Sequence, residues 1–579
     1  MSRSTGVRGK EVGKGRSIEG AAAMGAAVAD DVFDFRPGAQ VPLSGSAGQT
    51  AATMALASAA YRDNDVEEIL KANSEWHKCE LKKGLWWNLF KPNLGEAFAR
   101  AVQVRMLGGA RKPLIQSFGT EPQAVVEHCL AANRLRRERD SWLTAVMVLC
   151  GLLFLPGLAV WLLVFQIRSM VAKTEDKRAS VLATAVLAAV GVLAVVFLLR
   201  LPFDGFWAWY TRAAMVAPVA GWFWARQICE RTAKDMRERW GSLLAGGGVG
   251  AKIPEAVPGS PGETAAERLR QGLARLTAEQ QSNTVFYAGP KGILGMGTRW
   301  GSWQLAEELV PREKGTEIHP FRSWDVIRSI HDQLRMLERG PLHTGGFPTP
   351  SIRHWIVSPI GENADEVSRP TGTDVEAFQI RQHEVQRICN EQQFGSGDRH
   401  YLGVQFTLWD GQLVITMLIT VTVLHETLRI EVTGHALGPV HSLFTTKPKA
   451  KVEEVHKPVR FWETYEKKLP LVEPHEVVRL AVRAPFTWYP PLLDFLGGKI
   501  KLPEPFGLRH AWAAKPWRHR FMADDALRTA TPVLRVVHAA AIKVLAENGV
   551  DTEQFGTRSL FLSNLVQDAK PTTADLYEA

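Results

Sequence analysis

A glycine-rich turn is the stretch of this sequence whose residues are best suited to chemistry. The letters GPKGILGMGTRWGSW begin at residue 289, directly after the apolar run NTVFYA. A glycine loop after a strand can turn its backbone N–H groups toward an anion, and cationic side chains beside it strengthen the attraction. The predicted anion-binding residues are Gly289, Lys291, Gly292, Gly295, Gly297 and Arg299.

The spacing of these glycines matches neither of two common nucleotide-binding patterns. It fits neither the G-x-G-x-x-G of dinucleotide-binding folds nor the G-x-x-x-x-G-K-[ST] of the P-loop. A loop that needs glycine only for its backbone shape is the alternative interpretation, and the spacing favours it. An anion or nucleotide site remains the second hypothesis for this turn.

No other stretch carries a recognised catalytic or metal-binding pattern. The sequence lacks a G-x-S-x-G elbow, an H-E-x-x-H pair, an EF-hand loop and the kinase motifs. Its five cysteines are scattered without a C-x-x-C pair, and His425 and Glu426 fall where a strand pattern turns. We therefore predict no catalytic residue, no metal site and no cofactor; whether the protein is an enzyme stays open, and the missing motifs favour a protein without catalytic activity.

Strand and helix patterns alternate around the glycine turn. Residues 264–579 are predicted to form a soluble α+β domain with an antiparallel meander. The clearest signal is RHYLGVQFTLWDGQLVITMLITVTVL, in which Asp410 and Gly411 join two β-rich runs as a type I′ hairpin turn. A late helix is expected over 524–548, because Gly549 follows it.

Two long apolar runs in the middle of the chain predict a membrane protein with a transmembrane α-helical hairpin. Residues 141–167 and 179–199 contain no Asp, Glu, Lys or Arg. At 1.5 Å per helical residue they extend about 40 and 31 Å, against a hydrocarbon core of about 30 Å. Residues 205–225 carry Arg212 as their sole charge and form a possible third span.

Basic residues beside these runs predict which side of the membrane the rest of the chain occupies. Arg136 and Arg139 precede the first run, and Arg226 and Arg231 follow the possible third span. By the positive-inside rule, both flanks belong in the cytoplasm. We expect a multi-pass protein of the cell membrane with cytoplasmic soluble parts, and three spans instead of two would place those parts on opposite sides.

Composition divides the rest of the chain. Residues 1–60 are rich in Gly, Ser, Ala and charge, which predicts disorder. Residues 61–140 are expected to form a helical cytoplasmic region, and residues 141–226 the transmembrane module. A basic exit and a Gly/Pro linker are expected over 227–263.

Aromatic rings beside basic residues predict further contact with the membrane surface, since such rings and lysines suit the headgroup layer. The proline-rich segment 484–521 is expected to be an extended loop of this kind. Ordinary packing of the rings inside a folded domain is the alternative. The predicted interface residues are Trp86, Trp87, Trp222, Trp224, Trp488, Tyr489, Trp512 and Trp517.

The order of several motifs resembles a group of multi-pass membrane proteins of unknown function from high-GC actinobacteria. The motifs are NTVFYAG leading into GMGTRWGSWQLAEELV, the meander RHYLGVQFTLWDGQLVITMLITV, and a late helix ending in ENGVDTEQF. Together with the adjacent spans, they cover roughly residues 140–565. The resemblance implies this architecture and no catalytic residues.

The functional prediction is a membrane-anchored interaction or regulatory protein with a cytoplasmic α+β domain. Its expected partners are the lipid bilayer and a protein partner or a second copy of the chain. The net charge of +9 suits an anionic membrane surface, and no nucleic acid is expected. The alternatives are a membrane-bound enzyme or nucleotide or anion sensor that uses the loop 289–301, and a pore-forming oligomer.

Overall fold

The computed structural model describes residues 50–72, 78–108, 113–162, 205–245, 264–339, 347–360, 374–391, 397–457 and 460–568, with single positions at 185, 189, 191, 192, 196 and 257. Residues 1–49, most of the predicted span 179–199 and most of the Gly/Pro linker lie outside these described residues.

The N-terminal elements are mostly helical. In chain order they are α1 (Ala51–Ser58), β1 (Glu80–Lys83), α2 (Trp87–Phe90), α3 (Leu94–Leu107), α4 (Pro122–Leu162), α5 (Phe206–Ala245) and α6 (Thr264–Gln280). Asn93 caps α3 by accepting the N–H of Glu96 at 2.9 Å, and Pro122 opens α4. The apolar faces of α1, α3 and the first half of α4 meet in one core.

The prediction of disorder as far as residue 60 is wrong for its last ten residues. Helix α1 begins after Thr50, whose Oγ1 accepts the N–H of Thr53 at 3.2 Å. All of its residues from Ala52 onward are buried. The alanine-rich composition reflects close packing against neighbouring helices, because small side chains let helix backbones approach.

Helices α4 and α5 lie antiparallel along each other. Gly221 of α5 faces Cys150 of α4, and Gly157 of α4 faces Ala214 of α5 so closely that a Cβ would overlap the Ala214 carbonyl. Small residues at such contacts are typical of helix pairs in membranes. The pairing therefore depends on glycine at these two crossings.

Two described helices are long and apolar enough to cross a membrane, judged by length and composition alone: Pro122–Leu162 and Arg520–Glu547. The apolar half of the first leaves Trp142, Leu149 and Leu152 more than half exposed. The second instead buries most of its apolar side chains inside the protein, which is typical of a core helix. The first predicted span is thus confirmed as a long apolar helix.

The possible third span forms the first half of α5, which continues without interruption into the basic segment after residue 225. Because α4 and α5 are antiparallel, Ala225 and Cys229 pack beside Leu143 and Val146. The charged ends of both helices consequently lie next to each other, on one side of the apolar pair.

The C-terminal elements combine helices with a large sheet. In chain order they are β2 (Thr284–Tyr287), β3 (Thr298–Glu308), α7 (Ser323–Leu334), β4 (Ser351–Pro359), α8 (Gln382–Glu391), β5 (Arg399–Leu408), β6 (Leu413–Leu424), β7 (Thr427–Leu437), α9 (Ser442–Thr445), β8 (Val452–Lys457), β9 (Arg460–Lys468), α10 (Pro474–Arg483), α11 (Pro490–Leu496), β10 (Gly498–Lys501), α12 (Arg520–Glu547) and α13 (Glu553–Asp568).

The main sheet has the strand order β2-β4-β5-β6-β7-β3. Only β2 and β4 are parallel among its described pairs, and the predicted antiparallel meander is confirmed as β5, β6 and β7. Asp410 and Gly411 both have positive φ, as a type I′ turn requires, and Gln412 N–H donates to the Trp409 carbonyl at 3.0 Å.

The two faces of the main sheet have different coverings. One face packs against α7 and α12 in a core that contains Leu402, Ile415 and Val432. The other face carries a smaller apolar cluster around Trp355 and Leu418. A cavity lies over the rest of this second face.

The prediction of an extended loop over the proline-rich segment 484–521 is wrong for its first half, whereas residues 502–519 are largely irregular. The first half forms α11 and β10, and β10 pairs antiparallel with β1 near the other end of the chain. Phe506 and Trp512 are fully buried among the N-terminal helices. The predicted helical region 61–140 and the predicted C-terminal domain therefore share one hydrophobic core.

A pair of histidines, His400 buried and His354 half-buried, lies between the main sheet and α7. His354 Nδ1 and His400 Nε2 are 3.0 Å apart, and the ring of Trp324 lies 5.1 Å from that of His354. Burial, together with the neighbouring His331, lowers the pKa of His354 to about 4, and burial lowers that of His400 to about 3. Both rings are therefore neutral at neutral pH.

These histidines are expected to make the fold less stable on acidification. Below about pH 6.5 both histidines become protonated in the unfolded chain but stay neutral in the folded chain. The free energy of unfolding therefore falls by about 1.4 kcal/mol for each histidine with every unit by which the pH is lowered. Urea unfolding of the full chain in detergent between pH 7 and 5 should show a shallower slope in His400→Gln than in wild type. The exposed His475→Gln is the control, and parallel curves for wild type and His400→Gln would contradict the prediction.

Candidate functional site

The glycine-rich turn leaves β2, reverses and enters β3. Ala288 N–H donates to the Gly292 carbonyl at 3.0 Å, and Leu294 N–H to the Phe286 carbonyl at 2.8 Å. A strand follows the turn instead of a helix N-terminus, so any anion at this turn would meet individual N–H groups and side chains, with no helix dipole behind them.

Glycine is required at Gly297 for two reasons. Its φ is +82°, and a Cβ there would overlap the Ala436 carbonyl of β7. Gly295 also has a positive φ, but it packs against Ile115 and lies away from the cavity. The structural interpretation therefore holds for Gly295 and explains glycine at Gly297, whereas Gly289 and Gly292 border open space.

The turn lines a cavity of about 1120 Å³ over the open face of the main sheet. Strands β2, β3, β4, β5 and β7 all contribute to its floor. Five of the six predicted anion-binding residues line this cavity: Gly289, Lys291, Gly292, Gly297 and Arg299. A pocket of this size is large enough for a nucleotide or a comparable organic molecule.

Basic side chains outnumber acidic ones in the cavity. The lysine and arginine side chains that line it are Lys291, Arg299, Arg399 and Lys515. Among the described lining residues, Glu431 is the only carboxylate. It lies 3.9 Å from Arg299 and accepts a hydrogen bond from Arg429 at 3.1 Å. The cavity as a whole therefore has a positive charge that favours an anionic ligand.

His435 is the most deeply buried titratable group on the cavity wall. It lies on β7 opposite Arg299 of β3. Burial and the charge of Arg299 lower its pKa to about 4, so the ring is neutral at neutral pH. Its Nδ1 is buried and has no hydrogen-bond partner among the described atoms. A ligand that reaches this nitrogen would satisfy it.

Hydroxyl groups complete the polar lining. Thr298 and Thr433 contribute side-chain hydroxyls, and Tyr401 contributes a phenol. Burial raises the pKa of Tyr401, so this phenol stays protonated and can donate a hydrogen bond. Cations, neutral donors and exposed loop backbone suit the recognition of a phosphate or carboxylate group.

Metal coordination has no support in the described part of the chain. Within it, no group of three or more His, Cys, Asp or Glu side chains is arranged to hold a metal ion. The five cysteines are all free thiols, and Cys79, Cys129, Cys229 and Cys389 are buried.

The predicted membrane-interface residues divide into three groups. Trp86, Trp224, Trp488 and Tyr489 are exposed, and Trp87 and Trp222 are half-buried. The prediction is wrong for Trp512 and Trp517, which are buried. The ring of Trp512 packs against three phenylalanines, and that of Trp517 lies 6.2 Å from Trp300.

Sequence reasoning missed half of the cavity. Arg399 and Tyr401 of β5, and Glu431, Thr433 and His435 of β7, come from the meander that was assigned only a structural role. Their signal is a polar side chain at every second residue within strands whose other face is apolar. Such a stripe indicates a solvent-facing surface, and only the fold shows that the two stripes border the glycine turn.

The comparisons with known proteins match only part of the chain. A model of the AbeC-like domain matches residues 302–570, which is less than half of the sequence. No curated protein and no solved structure matches the chain. The matched region begins inside β3, so it includes Arg399, His435 and the rest of the meander. The glycine turn and the N-terminal helices precede it.

Proposed function

We propose that the protein is a membrane-anchored regulatory protein that binds an anionic small molecule in the cavity beside the glycine turn. The observation that carries the proposal is that four cationic side chains, a glycine loop and a buried imidazole line one nucleotide-sized cavity, the Nδ1 of that imidazole having no partner among the described residues. This proposal combines two predictions made from the sequence, the regulatory role and the anion sensor.

The charge of the cavity supports an organic phosphate or polycarboxylate as the ligand class. Lys291 lies in the turn after β2 and Arg299 lies on β3, and both line the cavity, so each supplies a positive charge to its wall. The uncharged lining, including Tyr287 and Val357, would face the rest of the ligand. Mixed linings of this kind orient a ligand by its charged end while burying its apolar part.

The membrane part of the proposal rests on α4 and α5. Their apolar halves pair through glycines, and their charged ends lie together beside Leu143 and Ala225. If both helices span the bilayer, these charged ends share one side. The arginines at the charged end of α4 and at the charged end of α5 favour the cytoplasmic side of the membrane. We therefore place the cavity in the cytoplasm, on a protein held by an antiparallel helix pair.

Removal of the two cations of the turn is expected to weaken ligand binding strongly. Each charged hydrogen bond contributes about 1.5–3 kcal/mol, so Lys291→Gln and Arg299→Gln should each reduce affinity about tenfold or more. Calorimetric titration of the full chain in nanodiscs with inorganic phosphate, pyrophosphate and nucleoside triphosphates measures this effect. Binding should also weaken as salt is raised.

The matched control for these variants is Arg528→Gln. Arg528 lies on α12 outside the cavity with its side chain largely exposed, so its loss should leave affinity unchanged. Equal binding by wild type and the Lys291→Gln, Arg299→Gln double variant would contradict the proposal, as would failure of every anion to bind. Chromatography of the recovered ligand separates the alternatives, because a converted ligand indicates an enzyme and an intact one a sensor.

A further inference from the structure

Two segments from opposite ends of the chain form a second exposed surface. Pairing of β1 with β10 brings the turn after β1 against the end of α11. Leu85 N–H donates to the Phe495 carbonyl at 3.0 Å, and Trp86 N–H donates to the Leu496 carbonyl at 2.7 Å. These backbone bonds hold the two segments in fixed positions.

The side chains on this surface are large, apolar and exposed. We name it the aromatic patch, and its members are Leu85, Trp86, Phe486, Trp488, Tyr489 and Phe495. Trp488 is the extreme case, with 79% of its surface exposed. Phe90 lies beneath the patch, with its ring 6.1 Å from Trp86 and 5.6 Å from Phe486. Large apolar side chains that are exposed side by side are typical of an interaction site.

The aromatic patch adjoins the place where α4 becomes an exposed apolar helix. Ala484, two residues before Phe486, packs with Leu143 and Val146 of α4. Trp142 on the same helix turn is more than half exposed. The aromatic patch therefore adjoins the apolar surface of the α4–α5 pair, close to the charged ends of these two helices.

The charge beside the patch is basic. Lys82 of β1 and Lys499 of β10 are directly opposite each other across the strand pair, and both are exposed. Like charges placed opposite each other repel and destabilise a strand pair. An anionic surface would relieve this repulsion, and tryptophan, tyrosine and lysine together are the residues that occupy the headgroup layer of membranes.

We propose that the aromatic patch inserts among the lipid headgroups of the same bilayer that holds α4 and α5. The inference rests on the membrane placement in the proposed function. It assigns a second contact that fixes the orientation of the cytoplasmic part against the membrane, with the lysines bound to anionic headgroups. The sequence indicated Trp86, Trp488 and Tyr489, whereas Leu85, Phe486 and Phe495 join them only through the fold.

Site-directed spin labelling of the full chain tests the insertion. The chain carrying Trp488→Cys is labelled and reconstituted into vesicles of phosphatidylcholine with a minority of phosphatidylglycerol. Molecular oxygen, which concentrates in lipid, should relax this label several-fold more effectively, relative to a water-soluble nickel chelate, than it relaxes a label at Arg528→Cys. The unsubstituted chain supplies the background from its native cysteines, which are buried or half-buried.

A label at Leu152→Cys, on the exposed apolar face of α4, separates failure of this inference from failure of the proposed function. A lipid-exposed label at position 152 with a water-exposed label at position 488 overturns the patch insertion alone. Water exposure at both positions overturns the membrane anchor, and with it the inference. A label at position 488 that neither reagent reaches indicates a protein contact, which also overturns the insertion.

The role of the lysines is tested in the same vesicles. Lys82→Gln combined with Lys499→Gln should move the label at Trp488→Cys toward water in vesicles that contain phosphatidylglycerol. In pure phosphatidylcholine the double change should have no effect. The matched control is Lys543→Gln on α12, whose side chain is exposed and belongs to neither strand of the β1–β10 pair. An equal shift in both kinds of vesicle would overturn the assignment of anionic lipid to these lysines.

Discussion

Replacement of Glu96 by glutamine is expected to lower the free energy of unfolding by about 3–5 kcal/mol, because it breaks a buried ion pair from one side. Glu96 lies on α3, and its carboxylate accepts a short hydrogen bond from Arg483 of α10, which is almost wholly buried. The Arg100 guanidinium lies 3.7 Å from the same carboxylate. Glutamine would leave Arg483 buried without its counter-charge.

Acidification should remove the stabilising effect of the Glu96 carboxylate. Burial alone would raise the pKa of Glu96, but Arg483 and Arg100 outweigh it and hold the pKa at about 2. Because the folded pKa is below the ordinary 4.5, the carboxylate stabilises the fold above pH 4.5 and loses this effect as the pH falls toward 2. The difference in stability between wild type and Glu96→Gln should therefore shrink over that range.

Urea unfolding of the full chain in detergent, followed by tryptophan fluorescence, measures both effects. The control is Glu67→Gln, because Glu67 pairs with Lys83 at 3.1 Å on the surface, where both side chains are about half exposed. An exposed pair of this kind contributes at most about 1 kcal/mol. Equal losses in the two variants would show that the buried pair adds nothing to stability.

Replacement of Trp512 by alanine is expected to cost about 3–5 kcal/mol, the typical loss for a large aromatic residue in a core. Trp512 is fully buried, and its ring lies 5.1 Å from Phe98, 5.6 Å from Phe444 and 5.8 Å from Phe506. Phe98 and Phe444 come from distant parts of the chain, so the cavity left by alanine would loosen the contact between the N-terminal helices and the segment after β10.

The matched control for Trp512→Ala is Trp488→Ala. It removes the same side chain from an exposed position and should change stability by less than about 0.5 kcal/mol. Trp512→Phe, which keeps a ring in the site, should recover part of the loss. Thermal unfolding monitored by circular dichroism compares the three variants, and similar melting temperatures for the two alanine variants would contradict the expectation.

Local patterns predicted the elements whose signals lie within a few residues. The meander followed from alternating β-branched residues, and its turn from Asp410 and Gly411, because positive φ at both positions needs such residues. The helix predicted over 524–548 is observed as Arg520–Glu547, with Gly549 in positive φ after it. Each of these elements forms for reasons contained in its own segment.

Elements that depend on a distant partner escaped prediction. Helix α1 has an alanine-rich sequence that indicates low complexity, and its burial depends on partners such as Asp410, which accepts the Ala51 N–H at 3.0 Å. The aromatic residues after 484 divide between surface and core according to which ring meets the N-terminal helices. The local composition around Trp488 and Trp512 is similar, so composition cannot distinguish the exposed tryptophan from the buried one. Only the fold does so.

The candidate site was half predictable for the same reason. Glycine turns are visible in a sequence, and Lys291 and Arg299 accompany this one. The strands that complete the cavity are β5 and β7, and their polar residues approach the turn only because β3 pairs with β7 at the edge of the sheet. That pairing joins residues more than a hundred positions apart, beyond the reach of any local pattern.

The shared core also has a consequence for how the protein is made. Residues 52–132 bury their apolar surface against residues 500–512, so this surface has no complete partner until nearly the whole chain has left the ribosome. At about 5–20 residues per second, the delay is on the order of tens of seconds. The N-terminal helices must wait through synthesis of α4, α5 and the sheet, and the shared core requires that both ends of the chain emerge in the same compartment.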